Sequence, residues 1–327
     1  KTIDIYIPSK PELSQNEFDM ELKANGLDSL SISLKTVTNL EETNADLVFV
    51  SPGVSKYKDE IVALGERATT PLAWWLSYVK QHFPEKFFIG VTGTKGKSTT
   101  SSMITHVLDN ALVAGNLGHA VGGIELEDLI HADFIVLEIS SYQSSYITTP
   151  PDVVAVTSLF DCHIDWHLTP ENYRRDKLTL ALRGPSEIVA SDTIENFAPS
   201  LIRMRDEMGF PHVIDVITLV ESAGKSLLER NREMVREIVR MVEPRMGEDV
   251  IEERLSAFVE LAHRQEIIEN RNGVLFVSDV LSTAPEASIM AIDDFSLRYP
   301  DATIYLLCGG AYQDVDLSPL VVGLNNR

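Results

Sequence analysis

Residues 87–103, Phe-Phe-Ile-Gly-Val-Thr-Gly-Thr-Lys-Gly-Lys-Ser-Thr-Thr-Ser-Ser-Met, admit few folds. The apolar run Phe87–Val91 reads as a buried strand. A turn carrying Gly90, Gly93 and Gly96 follows, and Lys97-Ser98-Thr99 then opens a segment with helical period through Ile104, Val107 and Leu108. Strand, glycine loop, Lys-Ser and helix make up the layout of a phosphate cradle. Glycines let backbone N–H groups approach and point at phosphate oxygens. The helix start adds unpaired N–H groups and the positive end of its dipole. Lys97 is placed to bridge outer phosphates and the Ser98 hydroxyl to meet a Mg²⁺ ion. Counting back five from Gly96 gives Val91, so the first glycine is displaced to Gly90 or Gly93. An ordinary Gly/Ser/Thr turn before a helix is the plainer reading. Gly-Lys-Ser directly after an apolar strand outweighs it.

Around this stretch strand and helix patterns alternate. Strands are expected at Ile3–Ile7, Ala45–Val50, Phe134–Ile139, Val153–Leu159, Glu187–Ser191 and Ile304–Leu307, with two more runs ending at Val274–Asp279. Helices are expected at Leu72–Phe83, Lys225–Val242, Glu248–Leu261 and Glu286–Arg298. Thr169-Pro170 marks another helix start, with Thr169 as N-cap and Pro170 in the first position. That helix carries Lys177, by pattern one more surface lysine. The step from Asp109 to Val113 reads as too short to end a helix and begin a strand, as it would if residues were absent there. Leu201–Glu221 gives no clear period. The class is α/β with parallel sheets.

The chain has 327 residues, a length for two or three domains. A net charge of −21 argues against broad nucleic-acid binding, so an anionic substrate needs local cations and backbone amides. Cys162 and Cys308 are the only cysteines, which excludes a disulfide scaffold and fits a reducing cytoplasm. No apolar run approaches the ~20 residues of a membrane span.

Three further stretches carry chemistry. Ser51-Pro52-Gly53 ends a strand and suits either a ligand loop or a plain connection. Glu138 stands late in an apolar strand, where an unpaired carboxylate costs several kcal/mol, so it requires a metal or a cation. Asp161-Cys162-His163-Ile164-Asp165-Trp166-His167 offers ligand-type residues at alternate positions, which serve either a metal or the capping of a solvated loop. A Cys162–His163 nucleophile pair is disfavoured, because neighbours on an extended segment point apart.

The Thr-Gly-Thr-Lys-Gly-Lys-Ser-Thr string resembles the ATP loop of the Mur ligases. Gly115-Asn116-Leu117-Gly118 is similar to that family's Gly-Asn-Ile-Gly turn. Glu138-Ile139-Ser140-Ser141-Tyr142-Gln143 resembles a string particular to its D-glutamate-adding branch. His163-Ile164-Asp165-Trp166-His167, Glu171-Asn172-Tyr173 with Lys177, Ala262-His263-Arg264, Asn272-Gly273-Val274 with Asp279, and Gly309-Gly310 with Asp316-Leu317-Ser318 continue the resemblance in order. It implies a three-domain α/β fold: a Rossmann-like domain at 1–84 for the uridine nucleotide, a central P-loop ATPase-like domain at 85–261, and a partial Rossmann-like domain at 262–327 for the amino acid.

The resemblance also implies an activity. ATP with Mg²⁺ phosphorylates the carboxylate of UDP-MurNAc-L-Ala, and an amino acid displaces the phosphate. Catalysis would fall to Lys97, Glu138, His163 and Lys177, the last at the family's carbamylated-lysine position. Gly93, Thr94, Lys95, Gly96, Lys97, Ser98 and Thr99 would hold ATP, with Asn231, His263 and Asp279 at the adenosine and Arg264 at the γ-phosphate. The metal would meet Ser98, Glu138, His163 and Lys177. Ser51, Pro52, Gly53, Asn116, Ser140 and Gln143 would face the nucleotide sugar, and Thr283 the amino acid. A cytoplasmic monomer is expected, with neither nucleic acid nor membrane as partner.

The chain departs from the pattern in four places. Leu281 and Gln313 replace two lysines of the amino-acid site, the opening glycine-rich strand turn is missing, and the third domain is half built, which fits either residues missing from the sequence or a truncated protein. A folylpolyglutamate synthase-like ligase shares the ATP loop but not the Glu138–Gln143 string. A non-catalytic, ligase-derived nucleotide-binding protein is favoured by Leu281 and Gln313 and opposed by the intact Lys97, Glu138, His163 and Lys177.

Overall fold

The computed structural model describes residues 2–6, 33–37, 44–184, 187–192, 194, 197–209, 216–221, 225–282, 285–309 and 318–325. Thr283, Gln313 and the Gly310–Leu317 part of the Gly-Gly motif lie outside them. The chain forms two compact units, Lys1–Thr69 and Thr70–Arg327.

In the first unit β1 (Thr2–Tyr6) pairs in parallel with β2 (Ser33–Val37), and β3 (Val48–Phe49) in parallel with β4 (Ala68–Thr69). The strand expected over Ala45–Val50 shortens to β3, and an exposed turn at Ser51–Gly53 follows, closed by Val54 N donating to Ser51 O at 2.9 Å.

The second unit is built on six parallel strands: β5 (Phe87–Thr92), β6 (Ala111–Gly115), β7 (Phe134–Glu138), β8 (Val153–Val156), β9 (Glu187–Ser191) and β10 (Val216–Val220). Their order is β10-β9-β8-β5-β7-β6. Side chains alternate faces along a strand, and here both faces are apolar. Phe88, Ile135, Leu137, Val154, Val156, Ile188 and Ala190 point into one core, with the helices Pro71–His82 and Pro170–Leu182. Ile89, Val91, Val136, Val153, Ala155 and Val189 point into the other, with Lys97–Val107, Leu227–Val242 and Glu248–Ala257. Each such side chain buried contributes roughly 1.5–3 kcal/mol, so the sheet's register is held from both sides. Thr70 caps Pro71–His82 by accepting from Ala73 N at 3.3 Å, and Thr169 caps Pro170–Leu182 by accepting from Asn172 N at 3.1 Å.

The structure differs from the sequence reading at four points. The step after Lys97–Val107 is long enough to end the helix and begin a strand: it runs through Leu108, Asp109 and Asn110, whose left-handed φ of 51° turns the chain directly into β6. Its carbonyl accepts from Asp133 N at 2.8 Å. Leu201–Glu221 resolves into a helix, Phe197–Met208, and β10. The two runs before Asp279 form an antiparallel hairpin, β11 (Glu266–Arg271) and β12 (Val274–Ser278), not parallel strands. Asn272 (φ 53°) and Gly273 (φ 83°) supply the two left-handed residues of its tight turn. Ile304–Leu307 is not a strand: no described residue pairs with it in a ladder, and Tyr305 and Leu307 are 86% and 96% exposed.

Candidate active site

In this sheet β5 lies between β8 and β7. The chain leaves β5 toward β6 on one side and leaves β8 toward β9 on the other. A crevice therefore opens at their carboxyl ends, where α/β sheets bind ligands. The loop Gly93–Gly96 crosses it. Lys95 N donates to Ser158 Oγ at 2.7 Å, Ser158 Oγ donates to Lys95 O at 3.0 Å, and Thr157 Oγ1 also bonds that carbonyl. Thr94 N donates to Ser158 O at 3.0 Å, and Thr94 Oγ1 meets Tyr173 Oη at 2.7 Å. Gly93 has φ 144°, and a Cβ there would stand 2.0 Å from Thr157 Oγ1; at Gly96 (φ 88°) it would stand 3.0 Å from Asn231 Oδ1. Only glycine fits this approach. Gly96 starts the helix Lys97–Val107 without a side-chain cap, so its first amides are available to an anion.

Two lysines converge on one carbonyl. Lys97 Nζ donates to Gly93 O at 2.9 Å and to Thr94 O at 3.3 Å, and Lys177 Nζ donates to Gly93 O at 2.9 Å. Lys177 is only 3% exposed, so the surface-lysine pattern reading is corrected: its helix packs under the loop. Burial holds the Lys177 ammonium well below the usual lysine range, reinforced by Lys97 and opposed by Cys162 and Glu138. Loss of hydration lowers Lys97 too, and Glu138 opposes that shift.

Glu138 ends β7 and is 1% exposed. Asn116 Nδ2 donates to its Oε1 at 2.8 Å, while its Oε2 is buried with no hydrogen-bond partner. The segment 161–167 is not extended: His163 takes φ 55° and starts a helical turn, Ile164–His167. Burial, then Lys177, brings the His163 pKa down to about 4, so the ring is neutral at pH 7 and able to coordinate. His167 is already engaged, its Nδ1 2.7 Å from Asp176 Oδ2 and its Nε2 2.9 Å from Ser141 Oγ.

Among the described residues no group of three or more His, Cys, Asp or Glu forms a ready metal cage. A Mg²⁺ ion needs less protein, being held by one or two carboxylates together with phosphate and water oxygens. The orphaned Glu138 oxygen, close enough to Lys97 and Lys177 to act on both electrostatically, is a carboxylate donor of the kind such an ion takes.

A cleft runs from the loop to the segment after Phe258, lined by Lys95, Ser98, Leu228, Arg264, Asp279 and Met290 among others. Arg264 Nη2 donates to Ser98 Oγ at 3.2 Å, and Lys95 Nζ to Leu281 O at 3.3 Å. Asp279 accepts from Gln265 N at 3.3 Å. Asn231 is buried under Gly96. The His263 side chain is 60% exposed and bonds Ser278 Oγ through Nδ1 at 3.2 Å. Ser140 and Gln143 form a reciprocal capping box on the turn Ser141–Ser144. Sequence reasoning missed Thr157 and Ser158, which fasten the loop, and the apolar cleft walls at Leu228 and Met290. The polar pair ending an apolar strand was the available signal for the first. The capping box was also readable, from the Ser-x-x-Gln spacing.

Residues 91–205 match the model of the Mur ligase middle domain. The UDP-N-acetylmuramoyl-L-alanine–L-glutamate ligase of a Micromonospora species is 34% identical over 86% of this chain, and the chain spans 66% of that relative's length. The UDP-N-acetylmuramoylalanine–D-glutamate ligase of Thermosipho africanus is 26% identical over 100% of this chain and 78% of its own. The solved MurF ligase of Thermotoga maritima in complex with ADP shares the fold, with a TM-score of 0.53 at 16% identity over 89% of this chain and 71% of that one.

Proposed function

Because the chain belongs to the Mur ligase family, we propose that it is an ATP-dependent ligase that joins glutamate to UDP-N-acetylmuramoyl-L-alanine. The observation that carries this reading is the pairing of an amide-lined loop with two lysines on Gly93 O and a buried Glu138 oxygen awaiting a cation. ATP transfers its γ-phosphoryl group to the substrate carboxylate, giving an acyl phosphate and ADP. The amino group of glutamate attacks the acyl carbon, loses a proton, and expels phosphate as the amide forms.

The chain's residues act by positioning and charge neutralisation. Gly93 to Thr99 cradle the phosphates, Lys97 offsets their charge, and Arg264 reaches the γ-phosphate from across the cleft. Asn231, His263 and Asp279 serve the adenosine end. Ser98, Glu138 and His163 would hold Mg²⁺, and Lys177, at the family's carbamylated-lysine position, would support it. When bound, such an ion would supply charge neutralisation at the phosphoryl oxygens. Asn116 orients Glu138 and, with Ser140 and Gln143, serves the nucleotide sugar; the resemblance gives Ser51–Gly53 to the same substrate and Thr283, outside the described residues, to the amino acid. The family's division would fall at 84/85 and 261/262, although the helix Pro71–His82 packs into the core of the second unit, which begins at Thr70; the enzyme works as a cytoplasmic monomer. No helix among the described residues is long and apolar enough to cross a membrane.

The D-glutamate branch supplies the motif at Glu138–Gln143. A second reading, L-glutamate, is favoured by the name of the 34%-identical relative. Phosphate release with UDP-MurNAc-L-Ala and ATP, run with D- and L-glutamate and with other amino acids, tests both. No amino-acid-dependent release in any arm removes the ligase reading.

A further inference from the structure

Ser141, His167 and Asp176 form a hydrogen-bonded chain in the order of a nucleophile triad. They are 2%, 0% and 0% exposed, so the serine cannot meet a substrate. The arrangement has a different use. His167 Nδ1 lies 2.7 Å from Asp176 Oδ2 and Nε2 2.9 Å from Ser141 Oγ. An ionised carboxylate only accepts, which puts a proton on Nδ1 and leaves Nε2 to the serine hydroxyl. Asn172 Nδ2 donates to His167 O at 2.9 Å, and the rings of Tyr142 and Tyr173 stand 5.6 and 5.2 Å from the imidazole.

Each end of this chain is a near neighbour, in sequence, of a residue with a site role. Ser141 follows Glu138 at the end of β7, Asp176 directly precedes Lys177, and His167 closes the turn that His163 opens. Ser144 Oγ, on the same turn as Ser141, donates to Lys177 O at 2.9 Å. One imidazole therefore fastens together the three segments that present Glu138, His163 and Lys177. Buried polar networks with every member paired hold a single geometry, and such outer partners set the placement of metal-holding groups.

We infer that His167, through Ser141 and Asp176, is a positioning residue that sets the spacing of Glu138, His163 and Lys177 for a divalent cation bound with the nucleotide. The inference rests on the proposed metal site. The test measures Mn²⁺ binding by electron paramagnetic resonance in the full chain, with a non-hydrolysable ATP analogue present, beside thermal melting. Ser141→Ala and His167→Gln should each raise the Mn²⁺ dissociation constant about tenfold, within the range seen when such outer partners are removed. Should Ser141→Ala fail to fold, Asp176→Asn keeps the shape and serves instead. The control is Asp152→Asn. Asp152 accepts from Phe88 N at 2.8 Å and from Lys80 Nζ at 2.6 Å at the amino end of the sheet, away from the site. That variant should lower the melting temperature while leaving the Mn²⁺ constant within twofold. The inference is overturned if the network variants also stay within twofold, or if Asp152→Asn weakens Mn²⁺ as much as they do. Absence of Mn²⁺ binding in the unmodified chain overturns the metal reading itself, and the inference with it.

Discussion

Two glycine turns in the second unit contrast sharply. Gly93, in the loop after β5, takes φ 144°, and a Cβ there would overlap Thr157 Oγ1 at 2.0 Å. Gly273, between β11 and β12, takes φ 83° and has nothing within 4 Å of the same position. The hairpin turn is thus set by its own backbone, the loop by what surrounds it: Thr157, Ser158, Tyr173, Lys97 and Lys177 all bond to its backbone or side chains. A site that must present amides at fixed spacing is held from several sides. A turn that only reverses a strand is not.

Removing one holder that also carries charge should produce the largest effect. Lys97→Ala should lower ATP turnover by on the order of 10³-fold, the scale of losing a placed electrostatic partner, with the far-ultraviolet circular dichroism spectrum unchanged. Near-native turnover would show that the loop does not act on phosphate.

The glycines themselves come next. Gly93→Ala forces Thr157 or the loop to shift, and a misplacement of ~1 Å costs about 10²-fold in rate. Gly273→Ala meets only left-handed backbone strain, ~1–2 kcal/mol, and should leave turnover unchanged. Phosphate-release rates and melting temperatures of the pair decide this. Equal loss of turnover in both would end the distinction between a held loop and a free turn.

The contrast also marks what could be read from sequence. β5, β7, β8 and β9 were legible because a strand buried on both faces is a continuous apolar run, and the loop because its glycines and Lys97-Ser98 are local. The hairpin's Asn272-Gly273 turn was equally local. Lys177 was not legible by pattern: nothing along its helix tells that the helix lies under Gly93. His163 and the turn it opens were hidden by a left-handed φ that the sequence does not announce. Ile304–Leu307 has strand composition, but a strand is made by its neighbour as much as by itself, and none of the described residues serves.

A smaller effect concerns protonation at the held loop. Lys95 reaches Leu281 O from that loop, and burial lowers its pKa from 10.5 to about 8, with Asp279 opposing and Arg264 and Lys97 reinforcing the shift. The charged form is lost as pH rises through about 8, so affinity for a fluorescent ADP analogue should fall up to about tenfold between pH 7 and 9. Lys95→Met should flatten that dependence. Stability moves the other way: the folded chain releases this proton before the unfolded chain does, so the cost of burying the charge fades between about 8 and 10.5. A pH-independent affinity in the unmodified chain would remove Lys95 from the nucleotide site.

The smallest effect belongs to Leu281, next to the cleft-lining Asp279 and Ser282. Leu281 is 45% exposed, and its carbonyl, not its side chain, meets Lys95. A leucine cannot pair with the side-chain carboxylate of an incoming glutamate, and the backbone there is already engaged. Leu281→Lys adds a cation at this edge without disturbing a packed core. An exposed ion pair of this kind contributes about 0.2–1 kcal/mol, which corresponds to a decrease in KM for D-glutamate of about 1.4- to 5-fold. Initial rates of phosphate release at saturating ATP and UDP-MurNAc-L-Ala, with KM for ATP as the internal reference, measure it. A fall in both constants together would mean that the new lysine acts on the nucleotide. An unmodified chain that saturates with D-glutamate at micromolar concentration would mean that the cleft already holds the carboxylate by cations elsewhere, and that Leu281 is no departure in function.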